Sequence, residues 1–141
     1  MGEMAVIPAL ERWLRNEFSG FNILVEGQIK SKYNQYADLA MVQSKSNVIH
    51  TYEVKTKINP QIINSIVWAL SSFYANYRWL VIPKNEYYST SGVYSVLRDN
   101  GIGIILFSGK KHYSFNEKLK AKYIDGNFIE YWPQLCATWY W

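Results

Sequence analysis

Two short runs, Trp79-Leu80-Val81-Ile82-Pro83 and Ile102–Phe107, are almost wholly apolar, and each follows a segment that reads as helix. Runs so short and so apolar read as strands buried on both faces, which need helices to cover them above and below. Proline stops the first run, because it has no N–H to give a neighbouring strand. Upstream, Asn59-Pro60 supplies an N-cap and a first-turn proline for a helix expected to end near Tyr77. Ile63, Ile66, Val67, Leu70, Phe73 and Tyr74 would form its apolar face. A further helix is expected near Thr90–Asp99, ahead of Asn100-Gly101. Strand, helix, strand, helix, strand implies right-handed crossovers and a mixed sheet.

The segment before Asn59 reads as a helix and a three-stranded meander. Val6, Leu10, Leu14 and Phe18 recur at i, i+4 spacing, so Glu3–Phe18 is expected to be helical and to end at Ser19-Gly20. Phe21–Ile29 alternates like a strand, with Gly27 as a candidate bulge. After the polar loop Lys30–Tyr36, Ala37–Val42 is an apolar strand interrupted by one carboxylate. Ser44-Lys45-Ser46-Asn47 supplies turn chemistry, and Val48–Lys57 is rich in β-formers, so these two strands are expected to form a hairpin.

Beyond Gly109 the pattern changes. Lys118–Ile124 and Asn127–Trp132 flank Asp125-Gly126, which predicts a tight C-terminal hairpin. Lys110, Lys111, Lys118, Lys120 and Lys122 are interleaved with Tyr113, Phe115 and Tyr123. Such a pattern serves equally to grip a nucleic-acid backbone or to guard an edge strand against aggregation. Trp132, Trp139, Tyr140 and Trp141 are candidates to close the core or to form a homodimer contact.

At 141 residues, with 49% hydrophobic and 17% aromatic residues, the chain has the length and core material for one domain and is not of a disordered class. The apolar runs fall far short of the roughly 20 residues of a membrane span, and no basic, apolar leader opens the chain. No membrane association and an intracellular location are therefore expected. One cysteine, Cys136, closes no internal disulfide, and His50 and His112 are too far apart in sequence to mark a zinc motif. A formal charge of +4 tilts the choice of partner toward polyanions.

The residues that carry chemistry lie on the expected hairpin. Asp38 shares a strand face with Ala40 and Val42, and Glu53 shares one with Thr51 and Lys55. If register brings the faces together, two carboxylates and an ammonium meet at one end of the sheet. Mg²⁺ takes hard oxygen ligands and keeps waters and substrate phosphate among them, so Asp38, Glu53 and the carbonyl of Val54 are the candidate ligands. Lys55 would then serve the attacking water and the charge growing on the phosphorane. A lone Glu-x-Lys is usually a solvated strand face, and Asp38 has a structural alternative as a partner for Lys55. Asp inside an apolar strand run is nonetheless unfavourable without a reason.

Ala37-Asp38 with Glu53-Val54-Lys55 resembles the D…(D/E)-x-K signature of the restriction-endonuclease-like nuclease superfamily, with Ala37 standing where the signature has proline. Within it the chain resembles small archaeal and viral nucleases and archaeal Holliday-junction resolvases. The resemblance implies an α/β fold: an αβββαβ mixed sheet flanked by helices over about residues 3–107, with a C-terminal β-hairpin extension over 108–141. It implies a Mg²⁺- or Mn²⁺-dependent deoxyribonuclease leaving 5′-phosphate and 3′-hydroxyl ends. It also implies a further acid near the metal, for which Glu11 or Glu3 on the first helix and Glu26 on the first strand are the candidates. Lys57, Lys30, Lys32, Lys110 and Lys111 are the expected contacts to DNA.

Overall fold

A computed structural model describes residues 3–18, 21–25, 37–43 and 46–128. The elements are α1 (Glu3–Glu17), β1 (Phe21–Val25), β2 (Leu39–Gln43), β3 (Val48–Val54), α2 (Pro60–Ser71), β4 (Tyr77–Pro83), α3 (Lys84–Ser89), α4 (Val93–Asp99), β5 (Ile102–Ser108) and β6 (Ser114–Leu119). They build one six-stranded sheet in the order β1-β2-β3-β4-β5-β6. β1, β2 and β3 form the expected antiparallel meander, β3, β4 and β5 run parallel, and β6 returns antiparallel beside β5. The sheet is mixed and flanked by helices, as the alternation of elements predicts. Among the described residues, no helix is long and apolar enough to cross a membrane.

Strand alternation sorts the core into two layers. On one face Ile63, Ile66 and Leu70 of α2 and Val93 and Leu97 of α4 pack on Val42, Ile49, Leu80, Ile82, Ile104 and Leu106. On the other, Val6, Ile7, Leu10 and Leu14 of α1 pack on Leu39, Met41, Val54, Val81, Ile105 and Phe107. Each fully buried aliphatic side chain contributes about 1.5 to 3 kcal/mol, so β4 and β5, apolar on both faces, anchor the domain.

Several boundaries differ from the sequence reading. α2 ends at Ser71, not near Tyr77, because the Ser72 N–H and hydroxyl both turn back onto the last turn and the chain then enters the core at Phe73 and Ala75. Its N-terminus is as expected: Asn59 Oδ1 accepts the Ile62 N–H at 2.9 Å. The segment before β5 holds two short helices, α3 and α4, separated at Gly92, which has a left-handed φ of 82°. β3 stops at Val54, so strand alternation does not reach Lys57, which is exposed beyond the strand end. The Asp125-Gly126 hairpin is not formed: residues 120–127 contain no strand, and residues 129–132 lie outside the described residues. The hairpin partner of β5 is β6 instead, entered through Gly109 with φ 108°. Residues 26–29, expected to continue β1, also lie outside the described residues.

Asn76 explains where the Asp125-Gly126 segment goes. Its Oδ1 accepts the Ile49 N–H at 2.9 Å, and its Nδ2 donates to the carbonyls of Ile124 at 2.9 Å and Gly126 at 3.1 Å. Its backbone N–H donates to Ile49 O, and its carbonyl accepts the Ile124 N–H. One buried amide thus fastens residues 124–126 beside the start of β3, and those backbone groups are no longer free to build a hairpin.

On the α1 side, the cross-strand pairs His50–Tyr77 and Tyr52–Trp79 lie nearly parallel, with centroids 4.5 and 6.1 Å apart. A Cβ at Gly103 would collide with the Trp79 indole, so glycine there lets the ring lie flat across β5. Trp79 Nε1 donates to His50 Nδ1 at 3.2 Å, which requires that nitrogen to be unprotonated.

Asn76→Ala is expected to remove about 2 to 4 kcal/mol by orphaning buried groups, and Asn76→Asp about as much, because a carboxylate cannot donate to two carbonyls. Thermal melts would show a fall of roughly 10 °C for each. Burial lowers the His50 pKa from 6.5 to about 4. The unfolded chain therefore binds this proton first, so His50 favours the folded state fully above pH 6.5, and that contribution is lost as pH falls toward about 4. Histidine NMR should find this ring neutral at pH 5.

Candidate active site

The β2–β3 ladder brings the two candidate acids together. Its register pairs Leu39 with Tyr52 and Ala40 with Thr51, so one step further sets Asp38 across from Glu53. Asp38 lies in the bend just before β2, half-buried, with its carboxylate turned toward β3. There Oδ2 accepts the Val54 N–H at 2.8 Å, the amide that joins Glu53 to Val54. The next N–H, that of Lys55, points the opposite way and donates to Val81 O of β4 at 3.0 Å. The end of β3 is thereby held from both sides. Its last residues cannot drift relative to Asp38 without breaking a charge-assisted bond.

Glu53 and Lys55 are half-buried and line a cavity of about 750 Å³ on the α2 face of the sheet. The opposite wall is α2 itself, with Ile62, Ser65, Trp68 and Ala69, closed below by Phe73. Asp38 does not line this cavity, since its carboxylate is taken up at the strand edge. The site is therefore a pair of acids joined through one peptide group, with a lysine following, beside a partly apolar hollow.

The other candidates divide. Glu11 sits on α1, against the opposite face of the sheet, and its Oε2 is held by Arg15 Nε at 3.0 Å. Among the described residues no group of three His, Cys, Asp or Glu side chains is placed to hold a metal ion, so Glu11 does not join Asp38 and Glu53. Helical spacing alone cannot tell which sheet face a helix covers. Glu26, Lys30 and Lys32 lie outside the described residues, as does the side chain of Glu3. Lys110 and Lys111 are exposed in the turn between β5 and β6. Lys118 lies over the rings of Tyr87 and Tyr88, at 5.9 and 5.8 Å from their centroids, so it is engaged with α3.

Asp38 and Glu53 are the two carboxylates of this end of the sheet. Asp38 has its second oxygen beyond the Val54 bond, Glu53 lies on the cavity wall, and Mg²⁺ is commonly held by one or two carboxylates with waters and phosphate completing the shell. Sequence reasoning missed the α2 wall. The signal was present: Pro60–Ser71 carries no charged residue, although Ile62 and Trp68 face outward.

No protein-family model matches the chain, and no curated protein matches it. Among solved structures it is similar to the SPO1766 protein of unknown function from Silicibacter pomeroyi, with a TM-score of 0.62 and 12% identity over 92% of this chain and 80% of that one. At that identity the likeness is one of fold.

Asp38→Ala is expected to cost about 1 to 3 kcal/mol by stranding the Val54 N–H, whereas Asp38→Asn keeps an acceptor oxygen there and should melt near the wild type. Equal melting of all three proteins would show that the Val54 bond carries no weight.

Proposed function

We propose that this chain is a metal-dependent nuclease of the restriction-endonuclease-like class that hydrolyses DNA phosphodiester bonds endonucleolytically. The observation that carries the reading is the Asp38 carboxylate held on the Glu53–Val54 amide, with Lys55 next in the chain. The order α1, β1-β2-β3, α2, β4 supports the αβββαβ core, because it is the order the resemblance implies.

Asp38 and Glu53 would hold Mg²⁺ or Mn²⁺, with the Val54 carbonyl as a further candidate donor. The ion, when bound, supplies Lewis-acid polarisation of the phosphate and a more acidic water. The chain's own residues do the rest. Lys55 places a compact positive charge at the cavity wall, where it orients the attacking water and offsets charge on the phosphorane oxygens. Water adds to phosphorus, the P–O3′ bond breaks, and the 3′ oxygen leaves with a proton. Its neighbour Val54, bound to Asp38, keeps the lysine in place.

A second reading, a nucleic-acid-binding or assembly protein that keeps the fold without the reaction, draws on the same bond: an Asp that caps a strand has a structural use of its own.

Purified protein with Mg²⁺ should cut at least one of linear, circular, single-stranded and four-way-junction DNA, and chelation should stop it. Asp38→Asn, Glu53→Gln and Lys55→Ala should each lower the rate by at least about 10²-fold while melting normally. Salt-sensitive, metal-independent binding with no cleavage of any substrate would favour the second reading and remove the first.

A further inference from the structure

The parallel strands β3, β4 and β5 end at one edge of the sheet, and in open sheets ligands bind just outside such carboxyl ends. Lys55 stands at that edge, where β3 stops. Farther along it, a second cleft of about 590 Å³ lies between the start of α3 and the turn after β5. The register partners Pro83 and Phe107 line it, and Lys84, Asn85, Ser108 and Lys110 supply its polar side chains. Among the described residues no carboxylate lines it.

Both lysines are exposed, and among the described residues neither ammonium has an ion-pair or hydrogen-bond partner. The backbone beneath them is fixed. A Cβ at Gly109 would collide with the His112 carbonyl, so the turn that presents Lys110 needs glycine at its φ of 108°. Phe107, at the foot of that turn, packs edge-on against Tyr113 at 5.9 Å. Glu86, the one acid of α3, has Oε1 turned to the Ile58 N–H at 2.9 Å. That bond ties the chain just past Lys57 to the helix that begins with Lys84. Val54 pairs with Val81, which sets Lys55 beside Ile82, two residues short of Lys84 and one strand away. The backbone separation is about 8 Å.

Two ammoniums with an amide and a hydroxyl beside them suit an anion that spreads its charge over several oxygens. An isolated anion would meet only solvated lysines here. A chain of phosphates already engaged at Lys55 makes this second contact at a raised effective concentration. We infer that the cleft is a second phosphate site, at which Lys84 and Lys110 hold the DNA backbone next to the stretch engaged at Lys55. The place of the scissile phosphate rests on the nuclease reading; the anion site at Lys84 and Lys110 does not. Contacts of this kind read no base, so the site adds affinity and orientation without sequence preference.

The test is DNA binding in EDTA, followed by anisotropy of a labelled duplex over a series of salt concentrations. Each phosphate contact contributes about 0.9 to the slope of log affinity on log salt. Lys84→Gln/Lys110→Gln should therefore flatten the slope by about 2 and lose about tenfold or more of the low-salt affinity, while Lys84→Arg/Lys110→Arg keeps both. Lys120→Gln/Lys122→Gln removes the same charge at the opposite end of β5, where the Lys122 N–H meets Gly101 O, and should leave slope and affinity close to wild type. All four side chains are exposed, so every variant should melt with the wild type. A wild type that does not bind DNA, or an unchanged slope in Lys84→Gln/Lys110→Gln, overturns the inference. So does an equal loss in the two Gln doubles, because net charge alone then accounts for it. Loss confined to the cleft variant, with no Mg²⁺-dependent cleavage of any DNA, keeps the site and removes the nuclease reading. Cleavage that Lys55→Ala abolishes, with binding indifferent to Lys84 and Lys110, does the reverse.

Discussion

β3 is hydrogen-bonded on one side to a strand running against it and on the other to a strand running with it, and the fold is organised around that change of direction. An antiparallel neighbour can follow after a short turn, whereas a parallel one needs a crossover long enough to carry a helix. The meander β1-β2-β3 therefore precedes α2, and α2 lies on the sheet face to which the crossover from β3 to β4 carries it. The same arrangement brings the ends of β3 and α2 together and opens the hollow between Glu53, Lys55 and Trp68.

Both ends of β3 are fastened by side chains that act as substitute backbone. At the start, the Asn76 amide takes up the Ile49 N–H and ties in residues 124–126. At the finish, the Asp38 carboxylate takes up the Val54 N–H. A carboxylate in that second place is a stronger acceptor than an amide and carries a charge beside Glu53.

Helix and strand periods made much of this legible. The i, i+4 pattern of Val6, Leu10 and Leu14 marked α1, Asn59-Pro60 marked the start of α2, and the apolar runs marked β4 and β5. Period-two spacing was enough to set Glu53 and Lys55 on one face and Asp38 with Ala40 and Val42. The C-terminal hairpin was misread because Asp125-Gly126 has local turn chemistry, and local chemistry says nothing of a distant amide that claims the same carbonyls. The α2 wall was passed over for a related reason: Ile62 and Trp68 fall off the predicted apolar face, and helix period does not say that an outward-facing side chain borders a cavity.

The amino-acid sequence by itself determined the run of helices and strands from α1 to β5, apart from the end of α2 and the split into α3 and α4, and which side chains share a strand face, since both follow from periods of a few residues. Which face of the sheet each helix covers depends on contacts between residues far apart in the chain. Only the tertiary structure therefore set α1, with Glu11, on the far side of the sheet and Trp68 across from Glu53. It also decided that Asp38 would meet the Val54 amide, because a strand's register is fixed by pairing along its whole length and not by any one residue within it.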